Sequence, residues 1–436
     1  MTWDVIVIGA GAAGLLAAAR AAQRGRRVLL VEKNRKAGVK ILMSGGTRCN
    51  LTHAVDKWGI IEAFADQGPF LHSALAALGP ADLVQLIEAE GVKTKVEATG
   101  KIFPASDKAT DVLAALLRLL HRSGAELSLN EPVINVELME GKLQITTASR
   151  SLQADKVIIT TGGKSYPGCG TSGDGYAWTE KLGHTIIPRR PALVPVTTTA
   201  EWVKSLLGVT IEDVSVRVET TQQNDSHPTD NSSQATSPGN PSKKKRQIRD
   251  TPLLAERRGS FLFTHFGLSG PSILDVSRAI TAQNNPSSLQ LVCDFLPGTS
   301  SEDYASRLQN ECAAAGKKQI AGILALDLPR RLADSLVQLA NIPADRRAAE
   351  LSKHERATLV QVVKACRIPI AGTKGFKKAE VTAGGVTLDE IDSRTMQSKL
   401  VPNLYLAGEV LDLDGPIGGY NFQAAWSTGF LAGQSV

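Results

Sequence analysis

Cysteine is scarce in this 436-residue chain: Cys49, Cys169, Cys293, Cys312 and Cys366 are scattered, odd in number and form no CxxC pair. That pattern argues against a disulfide framework and a zinc site, so no metal is expected and a reducing, cytoplasmic setting is. No apolar run is long enough to cross a bilayer, so no membrane association is expected either. The apolar stretch Val5-Ile6-Val7-Ile8 has no basic region before it, follows Asp4 and runs straight into glycines. A buried strand fits it better than a signal peptide. No repeat of solenoid type is present. Charge is lacking almost everywhere in net terms. Of the chain's +6, a surplus of +5 sits between Lys243 and Arg258, with seven basic residues against Asp250 and Glu256. Such a segment is either a solvated loop or a contact for a polyanion.

Apolar residues make up 42% of the chain, enough for a sizeable core, and the length implies two or three domains. Residues 3–8 read as a buried strand, 12–24 as an Ala/Leu-rich helix and 27–31 as a second strand. This βαβ start predicts an α/β fold with a parallel sheet and helices on its faces. Helical patterns follow near 72–90 and 108–123, strand patterns at 132–138, 143–147 and 156–161. The texture then changes to alternating, antiparallel-type patches over 191–220. Residues 221–250 are rich in Ser, Asn, Pro, Gln and Lys and read as a disordered loop. Strand patterns return at 260–265 and 289–295, helical ones near 303–314, 330–340 and 355–366, and a final strand and helix follow from Leu404.

Gly9-Ala10-Gly11-Ala12-Ala13-Gly14 is a GxGxxG that follows a strand and opens a helix, and the next strand ends in Glu32, eighteen residues beyond Gly14. This is the full context of a dinucleotide site. Gly9 permits the tight turn, Gly11 lets backbone approach a pyrophosphate, and Gly14 allows helix and strand to pack closely. The helix N-terminus presents free N–H groups to phosphates, and Glu32 suits a ribose. An acid rather than an arginine there favours FAD or NAD over NADP. The C-terminal run argues for FAD. Asn403 to Glu409 is a strand ending in Gly408 and an acid suited to a ribityl chain. Gly418, Gly419, Tyr420 and Asn421 then begin a helix whose positive end favours an anionic reduced flavin. Thr161-Gly162-Gly163 supplies a third strand-end turn, and Ser44-Gly45-Gly46-Thr47-Arg48-Cys49-Asn50 a polar loop suited to diphosphate and flavin ring. Ala13, Lys33 and Lys40 complete the expected cofactor-binding set. A second GxGxxG, Gly168 to Gly173, invites an NADPH domain, but Ser165-Tyr166-Pro167 separates it from the strand and no complete βαβ unit follows. It reads instead as a loop bordering the flavin.

On Asp4–Gly14, Lys40–Asn50, Thr171–Tyr176, Leu262–Pro271, Ala379–Val386 and Ala407–Asn421, spread over nearly the whole length, the chain resembles the aminoacetone-oxidase-like FAD-binding proteins, the BaiN/YhiN-type flavoprotein family. Residues 221–258 do not match and read as an insertion. The resemblance implies three domains: a discontinuous Rossmann-like FAD domain (1–190 and 367–436), a β-barrel-like insert (191–300, with a disordered loop at 221–258) and a helical insert (301–366). It also implies flavin-dependent reduction, including formation of dihydrouridine in ribosomal RNA, with the flavin recycled by NAD(P)H.

Three readings follow. In the first, reduced flavin delivers hydride to C6 of a uracil turned out of folded RNA, and an acid protonates C5. The basic segment 243–258 then contacts RNA backbone, Cys49 or His265 is the proton donor, and Arg48, Lys374, Lys377 and Tyr420 position the substrate. Cys49 is nominated because the neighbouring Arg48 would lower its pKa. In the second, the chain is a small-molecule amine oxidase or enone reductase with a closed pocket. In the third, it is an RNA-associated protein that keeps FAD for structure.

Overall fold

β1 (Trp3–Ile8) is buried along nearly its whole length, and so is β2 (Val28–Val31), as strands covered on both faces must be. Between them runs α1 (Ala12–Gln23), whose alanines and leucines are almost all buried. β1 pairs parallel with β2 and with Ser151–Ile159, and β2 pairs parallel with Glu126–Ser128. The strand Ser151–Ile159 begins earlier than its apolar run. Its first half pairs antiparallel with Lys142–Thr147, and its second half pairs parallel with β1 and with Leu404–Leu406. Val133–Met139 closes this seven-stranded sheet. The computed structural model describes residues 3–221 and 252–436.

The described chain divides into two units, one comprising residues 1–195 and 374–436 and the other 196–373. The first holds the parallel sheet, a three-stranded sheet of Thr52–His53, Lys101–Pro104 and Thr94–Val96, and a two-stranded pair of Ile186–Ala192 with Val381–Val386. That antiparallel pair follows the second GxGxxG, so no second dinucleotide fold forms there. The second unit has an antiparallel seven-stranded sheet running from Cys366–Pro369 to Gly372–Thr373. Its helices include Ser301–Ala314, Arg330–Leu339 and Lys353–Lys364. The division differs from the expected one. The strands of the barrel-like insert and the helices of the helical insert share one apolar cluster, in which Phe261, Phe263 and Phe295 pack with Leu332, Leu336 and Leu359.

The disordered loop expected over 221–258 also needs correction. Residues 222–251, with most of the basic segment, lie outside the described residues, but Leu253–Thr264 is a strand paired with Thr210–Thr220. Within it Arg258 forks onto Asp213, with both nitrogen–oxygen distances at 2.7 Å. One helical stretch among the described residues, Ala65–Ala89, is long and apolar enough to match a membrane span by composition. It consists of three short helices, Ala65–Leu71, His72–Ala77 and Pro80–Ala89, interrupted at Leu78-Gly79. Leu71, Leu75, Leu83 and Ile87 are buried in the core, which accounts for its apolarity.

The two chain ends meet through the C-terminal helix, Tyr420–Ser435, which lies against α1. A Cβ on Gly429 would stand 2.3 Å from the carbonyl oxygen of Ala13, and one on Gly433 2.3 Å from that of Ala17. The glycines are therefore a steric requirement of the contact. Gly429→Val is expected to cost about 1–3 kcal/mol through overpacking and to weaken FAD retention. Gly168→Ala, at a position with open space, should stay within about 0.5 kcal/mol of the parent. Chemical unfolding monitored together with flavin absorbance checks both.

Candidate functional site

At the carboxyl ends of the parallel strands a cavity of about 660 Å³ opens, lined by residues of the first unit. Ligands of open α/β sheets bind at this edge. Its floor is the GxGxxG turn. Gly9 has φ 104°, and a Cβ there would come within 2.8 Å of the Thr160 carbonyl oxygen. A Cβ on Gly14 would fall 1.8 Å from the Gly9 oxygen, whereas one on Gly11 would meet nothing within 4 Å and enter open space. Thr160 ties the turn down through Oγ1, which is 2.9 Å from the Ile8 oxygen and 2.8 Å from that of Gly9. Gly11 caps α1 with no side-chain hydrogen bond and no acid in the first turn, so the helix end remains available to an anion.

Glu32 is buried, and each of its oxygens accepts one backbone N–H at 2.8 Å, from Ala10 and from Asn34. Carboxylate oxygens have further lone pairs, which leaves capacity for ribose hydroxyls. Lys33 is drawn to Asp174 and Ser172. On the opposite wall Lys40 meets Glu409 Oε2 at 2.5 Å and Ser165 Oγ at 2.7 Å. Glu409 Oε1 accepts from Ser165 Oγ at 2.8 Å and from the Thr382 N–H at 3.0 Å. The expected ribityl acid is thus already paired, with Lys40 as its counter-ion. Ser165 and Thr382 were missed because their partner is remote in sequence.

The polar loop begins as a helix, α2 (Val39–Thr47), whose backbone leaves the helical region at Ser44, Gly45 and Gly46. Gly45 and Gly46 are left-handed, and a Cβ on Gly46 would meet nothing, so this bend presents bare backbone to the cavity. Two buried atoms on the wall, Asn50 Oδ1 and Thr161 Oγ1, have no hydrogen-bond partner. Buried polar groups are almost always satisfied. Orphaned polar atoms, a bare glycine bend and an uncapped helix end together fit an elongated polar ligand with a diphosphate, as in FAD.

Of the remaining expected cofactor contacts, Ala13, Gly162, Gly408, Gly418, Gly419 and Asn421 line the cavity. Asn421 also braces its own turn through Gly415 and Pro416. Gly14 and Gly163 act behind the wall. A Cβ on Gly163 would sit 2.6 Å from Glu409 Oε1. Tyr420 stacks on His53 with ring centroids 4.8 Å apart, and His53 Nδ1 lies 3.0 Å from the Gly418 oxygen, steadying the start of the C-terminal helix.

Among the catalytic nominations, Cys49 requires correction. It is fully buried among Ile41, Leu51 and Trp426, and burial pushes its thiol up to about 12 despite a hydrogen bond with Ser44. The Arg48 cation does not lower it. That guanidinium is turned to Glu97 at 2.6 Å and Asp107 at 3.4 Å and lies 3.8 Å over the Phe103 ring. Arg48 does line the cavity, with Lys101 and Phe103 beside it. Lys374 and Lys377 are both exposed, and neither lines the cavity. His265 belongs to the second unit, where it is exposed at the turn after Leu253–Thr264 and edge-on to Phe266.

The HI0933-like protein Rossmann domain matches residues 3–435. The chain is 33% identical over 442 aligned positions to the ribosomal RNA dihydrouridine synthase of Escherichia coli (strain K12), covering 100% of this chain and 98% of that protein. It is 29% identical to the 3-dehydro-bile acid delta(4,6)-reductase of Clostridium scindens, covering 99% and 98%. Among solved structures, 3-ketosteroid delta1-dehydrogenase from Sterolibacterium denitrificans aligns over 99% of this chain and 98% of its own, at 14% identity and a TM-score of 0.49.

Glu32→Ala is expected to weaken FAD binding about 10–100-fold, since it removes charge-assisted hydrogen bonds. Fluorescence titration of the apoprotein with FAD measures this. The raised Cys49 pKa gives a second expectation. The unfolded chain ionises this thiol from about pH 9, while the folded chain holds it protonated to about 12. Its contribution to stability is therefore complete below pH 9 and is lost as pH rises through 12. At pH 8 Cys49 should resist alkylation in the native protein and react in urea, as peptide mass spectrometry would show.

Proposed function

The chain belongs to the HI0933-like family and is an FAD-dependent oxidoreductase, and from that premise we propose that it saturates a carbon–carbon double bond conjugated to a carbonyl, converting uridine to dihydrouridine in ribosomal RNA. The observation that carries this reading is the end-to-end similarity to an enzyme named for that reaction. The cavity agrees with it. FAD, once bound and reduced by NADH or NADPH, would supply hydride to the ring. The protein's own groups do the rest. The turn at Gly9–Gly14 and the start of α1 would hold the diphosphate, and Glu32 would take the ribose. Gly418 and Gly419 bring the positive end of the C-terminal helix to the cavity, where it favours negative charge on a reduced flavin. Arg48 over Phe103, with Lys101, offers a polar, flat-sided wall suited to a planar polar ring. The ion pairs of Arg48 with Glu97 and Asp107 hold that side chain in one orientation, which makes it a positioning group.

A second reading has its own support. The Clostridium scindens relative, also aligned end to end, is named for reduction of a bile acid. The two substrates share a C=C next to a carbonyl, so the same catalytic arrangement serves either. What separates them is whether the acceptor is a macromolecule.

Mass spectrometry of ribosomal RNA from cells with and without the gene tests the first reading. One dihydrouridine should disappear on deletion and return with the wild-type gene but not with Glu32→Ala. An unchanged modification map, together with reduction of a 3-oxo-Δ4 steroid by purified protein without RNA, would replace it with the second.

A further inference from the structure

With Cys49 sealed in the core, the carbon that does not receive hydride needs another source for its proton. Tyr166 lines the cavity and is half-buried. Its backbone sits in the left-handed region, at φ 50° and ψ 61°, which is sterically disfavoured for a residue with a Cβ. Three contacts hold it there. Its N–H donates to the Phe376 oxygen at 3.0 Å, and its own oxygen accepts the Cys169 N–H at 2.8 Å and the Thr171 hydroxyl at 3.2 Å. A strained residue fixed by its surroundings beside a ligand cavity is a recurrent feature of functional sites. The phenol hydroxyl itself makes no hydrogen bond among the described residues. Glu380 and Cys169, both on the cavity wall, are near enough to act on it electrostatically. Burial first, and then the Glu380 carboxylate, raise its pKa, so the proton stays on the oxygen until something in the cavity takes it.

We propose that Tyr166 is the proton donor of the reaction, its hydroxyl protonating the carbon next to the carbonyl as hydride reaches the far carbon of the double bond. This rests on the reading of the site as a reductase of conjugated double bonds, whichever substrate carries the bond. The balance is simple. Two electrons and one hydrogen leave the reduced flavin as hydride, one proton leaves Tyr166, and two C–H bonds replace the C=C π bond. The phenolate then recovers a proton from solvent, which reaches the cavity beside the exposed Glu380.

Tyr166→Phe tests this, because it removes the hydroxyl and leaves the ring and backbone. Holoenzyme reduced anaerobically with dithionite is mixed with ribosomal RNA from cells lacking the gene or with a 3-oxo-Δ4 steroid, and flavin reoxidation is followed. The variant should retain FAD, accept electrons from dithionite and bind substrate with an unchanged Kd. Its reoxidation should slow by about 100-fold or more, the contribution of a positioned general acid. In D2O the wild type should place deuterium on one face of the protonated carbon, and the variant on both. Unaltered reoxidation with one-face labelling would overturn the proposal, and so would a loss confined to Kd. A wild-type enzyme reoxidised by neither acceptor would instead bring down the underlying reading, and the proposal with it.

Discussion

The site depends on one steric constraint: two helices from opposite ends of the chain approach until backbone meets backbone. Gly429 and Gly433, one helical turn apart, face the carbonyls of Ala13 and Ala17 with no room for a side chain. Spacing of this kind allows close approach. Because α1 begins at the GxGxxG turn and the C-terminal helix begins at Gly418-Gly419, fixing these helices side by side brings the glycine turn and the start of the C-terminal helix to one cavity. Leu404–Leu406 adds to the same arrangement by pairing with the end of Ser151–Ile159. The chain thereby folds its final segment, from Leu404 on, back onto α1 and the parallel sheet before any ligand is involved.

A second organising feature is that two acids on the cavity wall, Glu32 and Glu409, are held in place by the protein before a ligand binds. Glu32 is held by two backbone N–H groups, and Glu409 by Lys40, Ser165 and the Thr382 N–H. A buried carboxylate is tolerable only with such partners. The consequence is preorganisation: these acceptor positions on the cavity wall are fixed in advance, which reduces the ordering that binding must impose. Arg48 follows the same logic from the other side, since Glu97, Asp107 and the Phe103 ring leave it one orientation.

The misreadings of the sequence have a common origin. The sequence puts Cys49 beside a cation because Arg48 precedes it, but adjacent residues at a bend can point to opposite sides. Arg48 faces the cavity while Cys49 enters the core with φ 63°. The stretch 252–258 reads as the end of a disordered insertion, yet it belongs to a strand whose Arg258 is neutralised by Asp213, a partner that composition does not reveal. The barrel-like and helical inserts were separated where strand texture gives way to helix texture, whereas Cys366–Pro369 returns to pair with Leu289–Asp294 after the helices and shares their core. Tyr166 drew notice only as part of a spacer between a strand and a decoy glycine motif. Its left-handed backbone and its place on the cavity wall exist only in the folded chain.

The sequence by itself determined what local physics can determine. A buried strand, a glycine turn, an uncapped helix start and an acid at the next strand's end lie within 30 residues, so their geometry is set by neighbours along the chain and the dinucleotide site could be read directly. The tertiary structure alone decided which polar side chains face the cavity, that Lys40 neutralises an acid 369 residues away, and that Cys49 keeps its proton while Tyr166 presents one. Ionisation and orientation follow from burial and from partners remote in sequence, and neither exists until the two ends of the chain have packed together.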